Sequence, residues 1–160
     1  MWNNQFIHFF YLTLIDEEKV IPAANEALEK FQKLRNAALR KNLSVCEERF
    51  FVESCFWSWS RHRYQSQIEF WCWYQQNKDK VRKQSLFKSL NVSIEPWVQI
   101  QKTCRPEELL CLLWKEVFQI SEHKIGEALA LTEGAIRYRI SHGLHALGEL
   151  TLEKPGQYHG

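Results

Sequence analysis

A chain of 160 residues can bury a substantial core, as one domain or as two small ones. With 45% hydrophobic and 25% charged residues its composition is that of a soluble globular protein, and no apolar run approaches the roughly 20 residues a membrane helix needs. The formal charge of +2 is unevenly spread: residues 1–90 hold 14 Lys/Arg against 10 Asp/Glu, and residues 91–160 hold 7 against 9, so a nucleic-acid-reading role for the C-terminal half must work without a basic surplus.

The opening "MWNNQFIHFFYLTLIDEEK" has no basic n-region and no small-residue cleavage site, so no signal peptide is expected. Its apolar part, "FIHFFYLTL", cannot stand exposed and is predicted to pack on the neighbouring helix. That helix is amphipathic and begins near Asp16, with Val20, Ala24, Ala27, Leu28, Phe31 and Leu34 on one stripe. Residues 47–83, which carry most of the aromatics and then turn basic, read as one long helix or two. From about residue 90 helical regularity fades, and Pro96 and Pro106 punctuate the chain, which predicts a linker over 91–105.

Three more helices are expected beyond it. Pro106 suits a first helical turn, with Glu107 and Glu108 near the positive end of the dipole and Leu109, Leu112, Leu113 and Val117 facing inward. Ser121 caps a second helix and Thr132 a third, whose stripe is Ile136, Ile140, Leu144 and Leu147. Strand signals are nearly absent. The fold class is therefore all-α: two small helical lobes, residues 1–90 and 106–150, joined by the linker, with a flexible tail at 151–160.

The five cysteines, Cys46, Cys55, Cys72, Cys104 and Cys111, are odd in number and lack any C-x-x-C pair. Reduced thiols in a cytoplasmic protein are expected, with neither a disulfide framework nor a zinc site. No nucleophile elbow, phosphate loop or H-E-x-x-H run appears, so neither catalysis nor a cofactor is expected.

The segment "ISEHKIGEALALTEGAIRYRISHGLHAL" resembles the helix-turn-helix of bacterial sigma factors of the extracytoplasmic-function group, whose run is approximately L-S-x-x-E-I-A-x-x-L-G-I-S-x-G-T-V-K-S-R-L-x-R-A-x-x-x-L. Ser121, Ile125, Leu129, Leu131, Thr132, Gly134, Ile136, Arg139, Ile140 and Leu147 occupy matching positions. The preceding "RPEELLCLLWKEVF" is similar to the helix that leads into that unit. Upstream, "LIDEEKVIPAANEALEKFQKL" resembles the family's G-D-x-x-x-A-E-D-L-V-Q-E-x-F-x-x-L helix, with Asn25 and Leu28 where Gln and Phe are usual and Pro22 in place of an acidic residue.

The resemblance implies a transcription-initiation protein whose partners are core RNA polymerase, double-stranded promoter DNA and an anti-sigma protein. Asp16, Asn25, Leu28 and Phe31 would face polymerase. The N-terminal part of the last helix would enter the major groove, with Thr132, Glu133, Gly134, Arg137, Tyr138, Arg139 and His142 as DNA contacts. For Arg139 a salt bridge on the helix flank is an equal alternative. Trp57 and Trp59 would stack on an unpaired base and Arg61 and Arg63 would meet phosphate. By residue type alone the aromatic tract reads first as core, and otherwise as a single-strand platform or a protein-docking surface. His142 and His145, spaced i, i+3, face solvent or DNA rather than a metal.

Three departures favour a second reading: Pro22, a charge balance of three Lys/Arg against three Asp/Glu over residues 121–147, and no recognisable W-L-x-x-I-A-x-N core in the middle section. That reading is a degenerate sigma-like module that binds an anti-sigma factor, polymerase or another protein with weak or no promoter recognition. A small helix-turn-helix repressor is a third possibility.

Overall fold

The computed structural model describes residues 2–84 and 95–159, with side chains as far as 148. Among these the regular structure is entirely α-helical. The apolar opening forms α1 (Trp2–Leu14), which buries Phe6, Phe9, Phe10, Tyr11 and Leu14. Its end is held from outside. The carbonyl of Leu12 accepts from Trp97 Nε1 at 2.6 Å and from the Gln101 side chain; that of Leu14 accepts from the Tyr64 hydroxyl at 3.3 Å. The next residue, Ile15, sits at φ 68°, a left-handed conformation that costs a β-branched residue roughly 1–2 kcal/mol. The buried Gln84 amide clamps it, donating to the Ile15 carbonyl at 2.9 Å while accepting from the Glu17 N–H at 2.5 Å.

Asp16 caps α2 (Glu17–Arg40) by accepting from the Glu18 N–H at 3.1 Å. The buried face is Val20, Ala23, Ala24, Ala27, Phe31 and Ala38, with Leu28 and Leu34 half-buried beside it, which is the predicted stripe with small additions. Pro22 lies inside this helix and leaves one carbonyl of the preceding turn without its intrahelical donor. The helix closes in a Schellman motif: Asn42 is left-handed at φ 55°, and the Leu43 N–H reaches back to the Ala38 carbonyl at 2.9 Å.

The aromatic stretch resolves into two helices, α3 (Glu47–His62) and α4 (Gln67–Arg82), separated where Ser66 caps α4 through the Glu69 N–H at 3.1 Å. The predicted linker differs. Residues 91–94 fall outside the described residues, and Glu95–Thr103 form a helix, α5. Pro96 lies in the first turn of α5, where the missing N–H would have had no helical partner, so it starts a helix rather than interrupting a chain.

The largest departure from two separate lobes is α6 (Pro106–Glu116). The expected inner face, Leu109, Leu112 and Leu113, is buried, but so are Leu110, Cys111 and Trp114, whereas Val117 is 44% exposed. Six consecutive residues are thus inside, which happens to a helix only when it is covered all round. Leu110, Cys111, Leu112 and Trp114 join Phe6, Phe9 and Phe51 in one continuous core that also takes in Ile120, Ile125, Ile136 and Ile140. Trp114 stacks on Phe9 with ring centroids 5.6 Å apart and planes 2° from parallel.

The remaining helices are α7 (Glu122–Leu129), which packs on α3, and α8 (Glu133–His159). The segment expected as a flexible tail, 151–160, is helical as far as His159. Of the predicted α8 stripe, Ile136 and Ile140 are buried and Leu147 is half-buried, but Leu144 is 48% exposed.

Candidate nucleic-acid interface

The segment 121–140 forms helix, three-residue connection and helix. Ser121 accepts from the Lys124 N–H at 3.3 Å and Thr132 from the Ala135 N–H at 3.1 Å, so both predicted caps are made. Between them α7 ends in a Schellman motif whose left-handed residue is Ala130, at φ 56°. The Leu131 N–H bonds the Gly126 carbonyl at 2.9 Å, and the Ala130 N–H bonds that of Glu127 at 3.4 Å. This wrap lays the Leu131 carbonyl against Gly126 so closely that a Cβ there would come within 2.7 Å of it. Glycine is required at this point because the turn folds back onto its own helix.

The inner side of α8 is Ile136 and Ile140. The outer side presents Thr132, Glu133, Gly134, Arg137 and Tyr138 to solvent, with Tyr138 63% exposed. His142 is also exposed. Its ring lies 4.2 Å from that of Tyr138, and its Nδ1 is 3.9 Å from Glu108 of α6. Arg139 turns the other way: it is half-buried beside the Cys111 thiol. Burial pushes that thiol up to about 11, with the Arg139 guanidinium pulling in the opposite direction. Of the two arginines expected at DNA, only Arg137 therefore faces outward.

Arg137 is already paired. Its Nε is 2.9 Å from Glu122 of α7 and its second guanidinium nitrogen 3.4 Å from Glu133, one turn earlier on α8. Glu133 also meets His123 Nδ1 at 2.9 Å, His123 Nε2 meets Glu127 at 2.5 Å, and Glu127 reaches Arg49 of α3 at 4.0 Å. Lys124 pairs with Glu48 of α3 at 2.9 Å. The Glu133/Arg137 and His123/Glu127 pairs are legible as i, i+4 spacings. The links from Glu122 to Arg137 and from His123 to Glu133 cross the turn, and linear spacing did not point to them.

The aromatic tract divides. Trp59 is 5% exposed within the core, so its ring offers no open face to a base, contrary to the stacking expectation. Trp57 is 39% exposed, with Arg61 at 5.1 Å and Lys30 at 5.6 Å from its ring centroid. Arg61 also bonds Glu26 at 3.2 Å, and His62 bonds the same carboxylate at 2.9 Å. These contacts, the His62 hydrogen bond first, hold the Glu26 carboxyl below the usual range. Arg63 lies over Trp59 and 3.7 Å from Glu107.

The four residues expected at polymerase also divide. Asp16 and Phe31 are buried, the first as a helix cap and the second as core; Leu28 is half-buried and packed on the core, and Asn25 is exposed. Among the described residues no three His, Cys, Asp or Glu side chains are grouped to hold a metal ion, and no helix is long and apolar enough to cross a membrane. Cys55, Cys104 and Cys111 are buried, Cys46 is half-buried and Cys72 is exposed; all five are free thiols. No family model, curated protein or solved structure gives a significant match to the chain.

Proposed function

We propose that this all-α protein acts in transcription initiation as a sigma-like factor, binding core RNA polymerase and promoter DNA, with α8 as the duplex-reading helix. The observation that carries the reading is the α7–turn–α8 unit. It has two capped helices, a three-residue connection, and an outward first turn and a half in which Thr132, Gly134, Arg137 and Tyr138 are exposed while Ile136 and Ile140 anchor the helix. A helix presented in this way fits the major groove at its N-terminal end. Trp57 and Arg61 offer an adjoining exposed aromatic and cation for an unpaired base, and the outer strip of α2 around Asn25 is the surface left for polymerase.

Two observations favour the second reading, a sigma-like interaction module with weak promoter recognition. A sigma factor sets its two lobes on two separate promoter elements, whereas here α6 unites both halves in one core. The outward arginine is also neutralised within the protein. Mixing the purified protein with core polymerase and measuring promoter-directed transcription separates the readings. Initiation supports the factor; polymerase binding without initiation leaves the module. Binding to neither polymerase nor duplex DNA refutes the factor and leaves the module only an anti-sigma factor or another protein as its partner.

A further inference from the structure

Arg137 is the residue of α8 best placed to meet a phosphate, and two carboxylates on different helices hold its guanidinium. Glu122 reaches it from the first turn of α7 and is itself only 25% exposed, so its position is set by packing as well as by charge. Glu133 reaches it from the first turn of α8, where the helix dipole favours an acidic side chain. The second oxygen of Glu133 meets His123 Nδ1, and Glu127 meets Nε2 of the same ring. The result is a connected polar chain, Arg49–Glu127–His123–Glu133–Arg137–Glu122, that ties α3, α7 and α8 together.

We propose that Glu122 and Glu133 act as an intramolecular stand-in for DNA phosphate on Arg137, and so set how tightly the α7–α8 unit grips a duplex. The inference rests on the duplex-reading role proposed above. A guanidinium fork accepts carboxylate and phosphate in the same geometry, so the two compete for one site. A phosphate that takes the Nε edge of Arg137 displaces Glu122, and it meets the negative charge of Glu133 beside it. Because Arg137 is already neutralised, its engagement with DNA is an exchange of anions that releases little counterion, and the salt dependence of binding is correspondingly shallow. Exposed ion pairs are individually weak, which keeps the stand-in displaceable.

The test is fluorescence anisotropy on a labelled mixed-sequence duplex across a salt series, using the whole protein. Glu122→Gln, and Glu122→Gln with Glu133→Gln, keep side-chain size while removing charge, and thermal melts verify their folding. At low salt about threefold to tenfold tighter binding is expected, with a log–log salt slope steeper by about one unit. The Arg137→Ala change should cancel that gain in the Glu122→Gln background. A gain that survives Arg137→Ala reflects net charge alone and overturns the proposal. So does an unchanged affinity and slope in a wild-type protein that binds DNA, which leaves the duplex-reading role standing. If no variant binds the duplex even at low salt, the duplex-reading role and the proposal fall together.

Discussion

The continuity of the core through α6 makes a prediction that separate lobes would not. Phe9, on α1, has ring neighbours in both halves: Phe10 at 5.0 Å and Phe51 at 6.4 Å on one side, Trp114 at 5.6 Å and Phe118 at 6.1 Å on the other. Phe9→Leu keeps the site apolar but removes the ring. Aromatic pairs contribute about 0.5–1.5 kcal/mol beyond their buried area, and the incompletely refilled volume adds to that, so the expected loss is about 1–2 kcal/mol. For a chain of this size that lowers Tm by about 2–8 °C. The discriminating measurement is residue-resolved hydrogen exchange under native conditions. If one core spans both halves, the slowest amides of α2 and α3 and those of α8 around Ile136 and Ile140 all speed up together, by about fivefold to thirtyfold. Faster exchange in α1–α3 with α8 unchanged would show that the halves unfold independently, and the argument from α6 would fail.

Two further predictions concern the same region. Ala130→Gly relieves a left-handed alanine; the gain of roughly 1–2 kcal/mol exceeds the added freedom of glycine in the unfolded chain, so stability should rise by about 0.5–1 kcal/mol in urea titrations, and a fall would contradict the Schellman assignment. Cys111 gives a pH dependence. Its folded thiol is raised from 9.0 to about 11, so its contribution is complete below pH 9 and is lost as the pH climbs from about 9 to about 11. Two units correspond to about 2–3 kcal/mol. Cys111→Ala should flatten the alkaline decline by that amount, while an identical slope in both proteins would disprove the assignment.

Much of the fold is legible in the residues because it depends on neighbours in sequence. Asp16, Ser66, Pro106, Ser121 and Thr132 each sit where a helix begins, and caps are local chemistry. The run Leu109–Trp114 also carried a signal: six apolar residues without a break exceed what a one-sided helix uses, and reading only their inner stripe concealed how α6 unites the two halves. Pro96 misled because a proline within a helix's first turn and a proline in a loop look alike in sequence. Ile15 was beyond reach, since nothing about isoleucine announces a left-handed backbone; Gln84, far away in the chain, imposes it. For the candidate interface, the exposed face of α8 follows from its periodicity. The pairing of Arg137 with Glu122 does not, because it depends on how α7 crosses α8. The inward turn of Arg139 likewise needed α6 in place beside it.

The central position of α6 also bears on how the protein is made. During synthesis α1, α2 and α3 emerge first, with the rings of Phe9 and Phe51 lacking the cover that Trp114 and Phe118 later provide. At about 5–20 residues per second, the stretch between the end of α3 and Trp114 takes roughly 3–10 s to appear. Throughout that interval the Phe9 and Phe51 rings lack their Trp114 and Phe118 neighbours, and apolar surface exposed in this way favours association between incomplete chains over folding.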